Sequence, residues 1–192
     1  MPTHPYGEHF DPTPSRALDT PVFLCGFFGT GAPHIGKCIA ALAGWPYIDI
    51  YENTAHRLDQ HRALRGVGFE NPDWGAAEED EILRALARRP CSVVGLPDGH
   101  LPTAHVIESL CRRARIVVVK RAWLDLQEAA IWAVEQAPER HPEFIEQPIP
   151  DLQTLQALYR TRVPLYARAH ETVDATNRSP GVVARALVRR LS

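Results

Sequence analysis

The sequence predicts a three-layer α/β fold in which a five-stranded parallel sheet is flanked by helices, and three observations predict it. Short apolar runs of strand length recur along the 192 residues. Segments with apolar residues at helical spacing separate them. The first run ends in a glycine-rich turn, GFFGTG (Gly26 to Gly31), that leads straight into a helical segment. Strands that alternate with helices are joined by crossovers. The result is a parallel sheet covered on both faces, with ligands bound at the carboxyl ends of the strands.

The composition suits one domain. Hydrophobic residues make up 45% and charged residues 23%, the balance of a soluble globular chain. A formal net charge of −2 provides no attraction to nucleic acid or to an anionic membrane, so neither is expected as a partner. No apolar run has the length of a membrane span, and the N-terminus lacks the charged-then-apolar order of a signal peptide. Cys25, Cys38, Cys91 and Cys111 show no paired spacing, and three of them lie in or beside apolar runs. Buried free thiols in a reducing, cytoplasmic setting are the expectation.

Residues 1–20 are rich in Pro, His and polar residues without apolar period and read as a flexible leader; residues 21–192 form the domain. PVFLCG is a buried first strand closed by glycine. In HIGKCIAALAG, Ile35, Cys38, Ile39 and Leu42 recur at helical spacing, and Gly44 supplies the C-terminal cap. WPYIDI is the second strand. EEDEILRALARR opens acidic and closes basic, the polarity that a helix dipole favours, and feeds the third strand, CSVVGL. PTAHVIESLCRRA is a helix, RIVVV the fourth strand and AWLDLQEAAIWAVEQ a further helix. Residues 137–151 place four prolines among charges and read as a flap. LQTLQALYRTR resumes a helix that Pro164 is expected to interrupt before PLYARA. ETVDA is the fifth strand, and SPGVVARALVRRL is a terminal helix with Ser179 as cap and Pro180 at its first position.

Two phosphate-loop registers compete near the start. GTGAPHIGKC fits G-x-x-x-x-G-K-[ST] at Gly31, Gly36 and Lys37 and fails at Cys38. The earlier copy, GFFGTG, directly follows the apolar strand, where such a loop must lie. It leaves a helix of about three turns from Ala32 to Gly44, whereas the later copy leaves about two. The earlier register is adopted, which makes Lys37 an exposed helix residue.

On these residues the chain resembles the shikimate kinase family of small P-loop kinases. The family's strand, G-F-M-G-x-G-K-[ST] loop, alanine-rich helix and F-x-D-x-D stretch correspond to GFFGTGAPHIGKCIAALAGWPYIDIY, with no gap up to the first aspartate. R-x-P-L-Y (Arg162, Pro164, Leu165, Tyr166) and VD-x-T-N-R resemble the family's closing segment. The likeness spans roughly residues 21–192 and implies a P-loop kinase-like fold.

In that family the loop lysine neutralises the β- and γ-phosphates of ATP and the next Ser/Thr holds magnesium. The matching positions here are Ala32 and Pro33, followed by His34. Alanine carries no charge, and proline offers neither a hydroxyl nor an N–H. The resemblance leaves Gly26, Gly29 and Gly31 as the cofactor-loop glycines and gives Asn177 and Arg178 the nucleotide-base contacts. Asp49 keeps the catalytic, magnesium-side carboxylate of D-x-D, while the substrate aspartate has become Tyr51. A substrate arginine aligns with Gly75, after Trp74, and a triple glycine aligns with Leu96, Pro97 and Asp98. Arg162 keeps the second substrate arginine. The flap arginine is either Arg140, in ERHPEF, or lost at Gln147.

The resulting expectation is a shikimate-kinase-like protein that no longer transfers phosphate, uses no ATP or magnesium, and binds a small anionic, shikimate-like molecule or a protein partner. Two alternatives stay open. An active kinase requiring ATP and magnesium would draw its charge from Lys37 or Arg140. A re-tooled lyase or isomerase on a cyclohexene acid would use Asp98 and His100, which follow the third strand in GLPDGH. Asp98-Gly99 is equally a common turn dipeptide, and His34 with Cys38, four apart on a helix, is a minimal metal pair.

Overall fold

Along β1 (Val22–Gly26), Val22 and Leu24 enter one core while Phe23 and Cys25 enter another, the period of two that a pleated strand imposes. All of β1 is buried, the mark of a central strand covered on both faces. The computed structural model describes residues 20–50, 83–96, 110–136 and 152–191, the side chains of residues 130 and 132–136 excepted. β1 is joined by β2 (Tyr47–Asp49), β3 (Val93–Gly95), β4 (Arg115–Lys120) and β5 (Glu171–Asp174) in one sheet of order β2-β3-β1-β4-β5. Every pairing is parallel. The expected α/β architecture, with five parallel strands between helical layers, is the observed one.

One face is covered by α1 (Ala32–Ala43) and by α4 (Pro180–Leu191), the last helix. Their Ile35, Ile39, Val183 and Leu187 pack with Val22, Leu24, Val117 and Val119 of the sheet. On the other face, Leu126 of α2 (Trp123–Gln136) and Leu155 and Tyr166 of α3 (Leu152–Tyr166) meet Phe23, Cys25, Ile116 and Val118. Each such aliphatic side chain contributes about 1.5–3 kcal/mol on burial, so these two layers fix the sheet's surroundings. No helix among the described residues is long and apolar enough to cross a membrane.

α1 starts at Ala32 and ends on Gly44 (φ 69°), whose N–H returns to the Ala40 carbonyl, as the earlier loop register requires. Lys37 is exposed, with its ammonium 5.6 Å from the centre of the Tyr47 ring. A Cβ on Gly36 would come within 2.7 Å of Tyr47 Cε2. Gly36, which completes the second motif match, is therefore a packing glycine between helix and strand.

Two expectations need correction. α3 runs unbroken through Pro164 to Tyr166. Pro164 lies in the last turn on an exposed surface, and the carbonyl it leaves without a helical donor, that of Arg160, belongs to an exposed residue that water can reach. Of the four cysteines, Cys25 alone is buried; Cys38, Cys91 and Cys111 are half-buried. Cys25 is in mid-strand, whereas Cys91 and Cys111 precede β3 and β4 and Cys38 lies on the flank of α1.

Candidate functional site

In this strand order β1 leads to β2 on one side and its neighbour β4 leads to β5 on the other, the switch point at whose carboxyl ends such sheets bind ligands. The turn after β1 occupies it. The Thr30 N–H donates to the Phe27 carbonyl at 3.1 Å, and Gly29 (φ 79°) and Gly31 (φ 76°) take left-handed conformations that suit glycine. A Cβ on Gly26 would strike Thr30 Oγ1 and come within 2.8 Å of the Val119 carbonyl; one on Gly29 would come within 2.7 Å of the Ala129 Cβ on α2. Gly26 and Gly29 are thus demanded by packing, and Gly29 and Gly31 by their left-handed backbone.

Gly31 precedes α1 as its N-cap, and no side chain caps the helix. The Ile35 N–H donates to the Gly31 carbonyl at 3.1 Å, the first helical bond. The N–H groups of Gly31, Ala32 and His34 therefore have no helical acceptor, and Pro33 has no N–H to present. Ala32 is 2% exposed, while His34 is open to solvent.

Two polar atoms beside this loop are shut off from solvent and have no hydrogen-bond partner among the described residues: Thr30 Oγ1 and Arg121 Nε. Thr30 is 1% exposed. Arg121 follows β4 and brings Nη2 to 3.9 Å from the place a Gly31 Cβ would occupy. Its position is fixed from the next residue. The Ala122 N–H donates to Thr176 Oγ1 at 2.8 Å, and the Thr176 N–H donates to Asp174 Oδ1 at 2.9 Å. Bonds from the Thr176 hydroxyl and N–H hold the Asp174 carboxyl below its ordinary range, with smaller help from Lys120 and Arg178.

Of the residues marked out in the sequence, Gly26, Gly29 and Gly31 shape the loop. Asn177 (φ 54°) and Arg178 are exposed on the turn after β5, which Thr176 ties to the Arg121–Ala122 segment. Asp49 is half-buried at the end of β2, in register with Gly95 and two strands from β1, roughly 10 Å across the sheet. Arg162 is half-buried on α3, one turn from Tyr159, whose ring packs edge-on to Phe27 at 5.1 Å and against Trp123 at 5.5 Å. Tyr51, Asp98, His100 and Arg140 lie outside the described residues, as do Trp74, Gly75, Pro97, Gln147 and the stretch 137–151. Among the described residues no group of three or more His, Cys, Asp or Glu is placed to hold a metal. Sequence reading passed over Thr30, Arg121 and Thr176. The signal for Arg121 was its place directly beyond the fourth apolar run, where a parallel sheet presents groups to ligands.

No family model matches the chain. A shikimate kinase of Bacillus licheniformis is 22% identical over 180 residues, covering 90% of this chain and 94% of its own. One from Psychrobacter cryohalolentis is 28% identical over 177 residues, covering 89% and 88%. Among solved structures, the shikimate kinase of Acinetobacter baumannii in complex with shikimate is similar with a TM-score of 0.67 at 19% identity, covering 90% of this chain and 92% of that one.

Proposed function

We propose that this chain is a divergent relative of the shikimate kinases it resembles, and that its phosphate loop has given up ATP-dependent phosphoryl transfer while its cleft still binds a small anionic, shikimate-like molecule. The observation that carries this reading is Ala32: a methyl group, 2% exposed, begins the helix where the family places an ammonium. Pro33 follows, without the hydroxyl that would hold magnesium. Removing one preorganised electrostatic stabiliser raises a reaction barrier by about 3–4 kcal/mol, and here two are gone. ATP and magnesium are not cofactors on this reading.

For the ligand, support comes from the retained Arg162, half-buried one turn from the aromatic cluster at the loop, and from Asp49 at the end of β2. An arginine fork matches a carboxylate bidentately. The kinase alternative through Lys37 is weakened by geometry: its ammonium lies over Tyr47, more than one turn along α1 from Ala32. The four free cysteines suit a reducing, cytoplasmic setting.

ATP consumption in the presence of shikimate and related ring acids tests the loss of transfer; turnover above background in the wild-type chain refutes it. Thermal shift with the same acids tests the ligand class, since any binder of the folded state raises Tm. A flat response across that series removes the ligand claim.

A further inference from the structure

The chain's charge is unevenly placed. The segments that lead into β3 and β4 are LRALARRPCS, residues 83–92, and LCRRAR, residues 110–115; both carry arginines and neither carries a carboxylate. Backbone bonds bring their ends level at the amino edge of the sheet. The Val22 N–H donates to the Ser92 carbonyl at 2.9 Å, and the Arg115 N–H donates to the Pro21 carbonyl at 2.8 Å. Val93 and Arg115 both pair with Val22, so they stand two strand spacings apart, roughly 10 Å. Ser92 Oγ donates to the Arg89 carbonyl at 2.9 Å. The N–H groups of Arg113 and Ala114 both return to the Leu110 carbonyl, at 2.9 and 2.8 Å. These bonds fix the two arginine-bearing turns beneath β3 and β4.

Arg88, Arg89, Arg112, Arg113 and Arg115 are all exposed, and none of their guanidinium groups has a partner among the described residues. Among the described residues that lead into a strand or open one, the one acid is Glu171, and Arg190 Nε engages it at 3.0 Å. Cations in the last turn of a helix answer its carbonyl dipole, which accounts for Arg189 and Arg190 of α4. That role does not reach Arg115, which opens β4. Neighbouring guanidinium groups repel over a Debye length of about 8 Å, and negative charge from a partner turns that cost into attraction.

We infer that this amino-end rim, through Arg88, Arg89, Arg112, Arg113 and Arg115, docks a short acidic segment of a protein partner. The inference is independent of the reading of the loop, which follows β1 at the opposite, carboxyl ends of the strands. An arginine fork takes a carboxylate bidentately. Three residues of extended chain span roughly 10 Å, so Asp or Glu side chains on one short stretch reach the turns on both sides of β1. Nucleic acid fits less well. Neither segment contains an aromatic residue on which bases would stack, and a long polyanion would run past the rim over a chain of net charge −2. An anionic bilayer also fits less well, since neither segment holds an exposed large apolar side chain to enter it.

The test is fluorescence anisotropy of a labelled oligoglutamate of about twelve residues, titrated with the full chain at about 50 mM salt. Wild-type protein is expected to bind with a Kd below about 100 μM, and to weaken at least about tenfold at about 0.5 M salt. The double variant Arg112→Gln/Arg113→Gln should weaken binding by at least about tenfold, and Arg115→Gln by less. Arg160→Gln/Arg185→Gln removes the same charge from exposed positions within α3 and α4 and should bind as wild type. The Tm of the rim variants should not fall, since no protein bond is lost; if the double variant fails to fold, Arg89→Gln and Arg115→Gln carry the comparison. Wild-type protein that ignores oligoglutamate at about 1 mM, rim variants that bind as wild type, or an Arg160/Arg185 variant that loses as much as they do each overturn the inference. Three further results overturn it by assigning the rim elsewhere. Tighter binding of single-stranded RNA of equal length assigns it to nucleic acid, tighter binding of phosphatidylserine vesicles to a membrane, and self-association abolished by the rim variants to a second copy of this chain.

Discussion

Tyr47 wedges its ring edge against Gly36 and its hydroxyl against Gly95, so one side chain sets the distance from α1 to both β2 and β3. Neither glycine has a positive φ; what each provides is space. Because the ring is held at both ends, it cannot swing away from one contact without closing on the other.

Gly36→Ala therefore tests packing against propensity. Alanine gains about 1 kcal/mol as a helix former, while overpacking costs about 1–3 kcal/mol. The expected net is a loss of about 1 kcal/mol in a denaturant titration. A stabilised variant would show that Tyr47 yields and that Gly36 is no packing requirement.

The parts of this fold that were legible in the sequence are those whose burial is written in a local period. β1 buries both faces and so reads as an unbroken apolar run; α1 repeats Ile35 and Ile39 at helical spacing and stops on a glycine that accepts the left-handed cap. The continuity of α3 was not legible, because Pro164 breaks a helix by local rule and is tolerated here only by its place in the final turn. Arg121 was legible only as a residue just beyond the fourth apolar run, and its neighbours in space were not. In VVVKRA it reads as ordinary surface charge, and the loop it flanks is some ninety residues away, brought near by the β1–β4 pairing. The bond from Ala122 to Thr176 likewise spans 54 residues. Sequence periodicity records which face of an element is buried. It does not record which loops meet at the sheet's edge.

Cys25 offers a check on the core. Burial pushes its thiol up to about 12 from an ordinary 9.0, and its Sγ–H reaches only the Val117 carbonyl, at 3.8 Å. Thiol labelling of native protein should spare Cys25 while the half-buried Cys38, Cys91 and Cys111 react. Its folded-state pKa is raised, so its contribution to stability is complete below the unfolded value and is lost as pH rises towards the folded one. Wild-type protein should lose stability more steeply than Cys25→Val between about pH 9 and 11, by up to about 1.4 kcal/mol per pH unit. Parallel curves for the two proteins would contradict a buried neutral thiol.

Thr176 links acid stability to the site. Its hydroxyl donates to Asp174 and accepts from the Ala122 N–H, so Thr176→Ala removes two bonds at once. The Asp174 carboxyl is held below its ordinary 3.8, so its ionised form favours the fold. That contribution is present above the unfolded pKa and lost as pH falls through the folded one. The Tm gap between wild type and Thr176→Ala should accordingly be widest near neutrality and narrow as pH drops below the ordinary 3.8 of the carboxyl. Asp174 is exposed, so salt should also reduce the part due to Lys120 and Arg178. What survives at low pH is the share of the Ala122 bond. Thr176→Ser, which keeps the hydroxyl, should restore the wild-type stability and its pH dependence. A Tm gap that stays constant across the acid range would mean that the Thr176 hydroxyl does not stabilise the fold through the ionised Asp174, and the link from Thr176 to acid stability would fall with it.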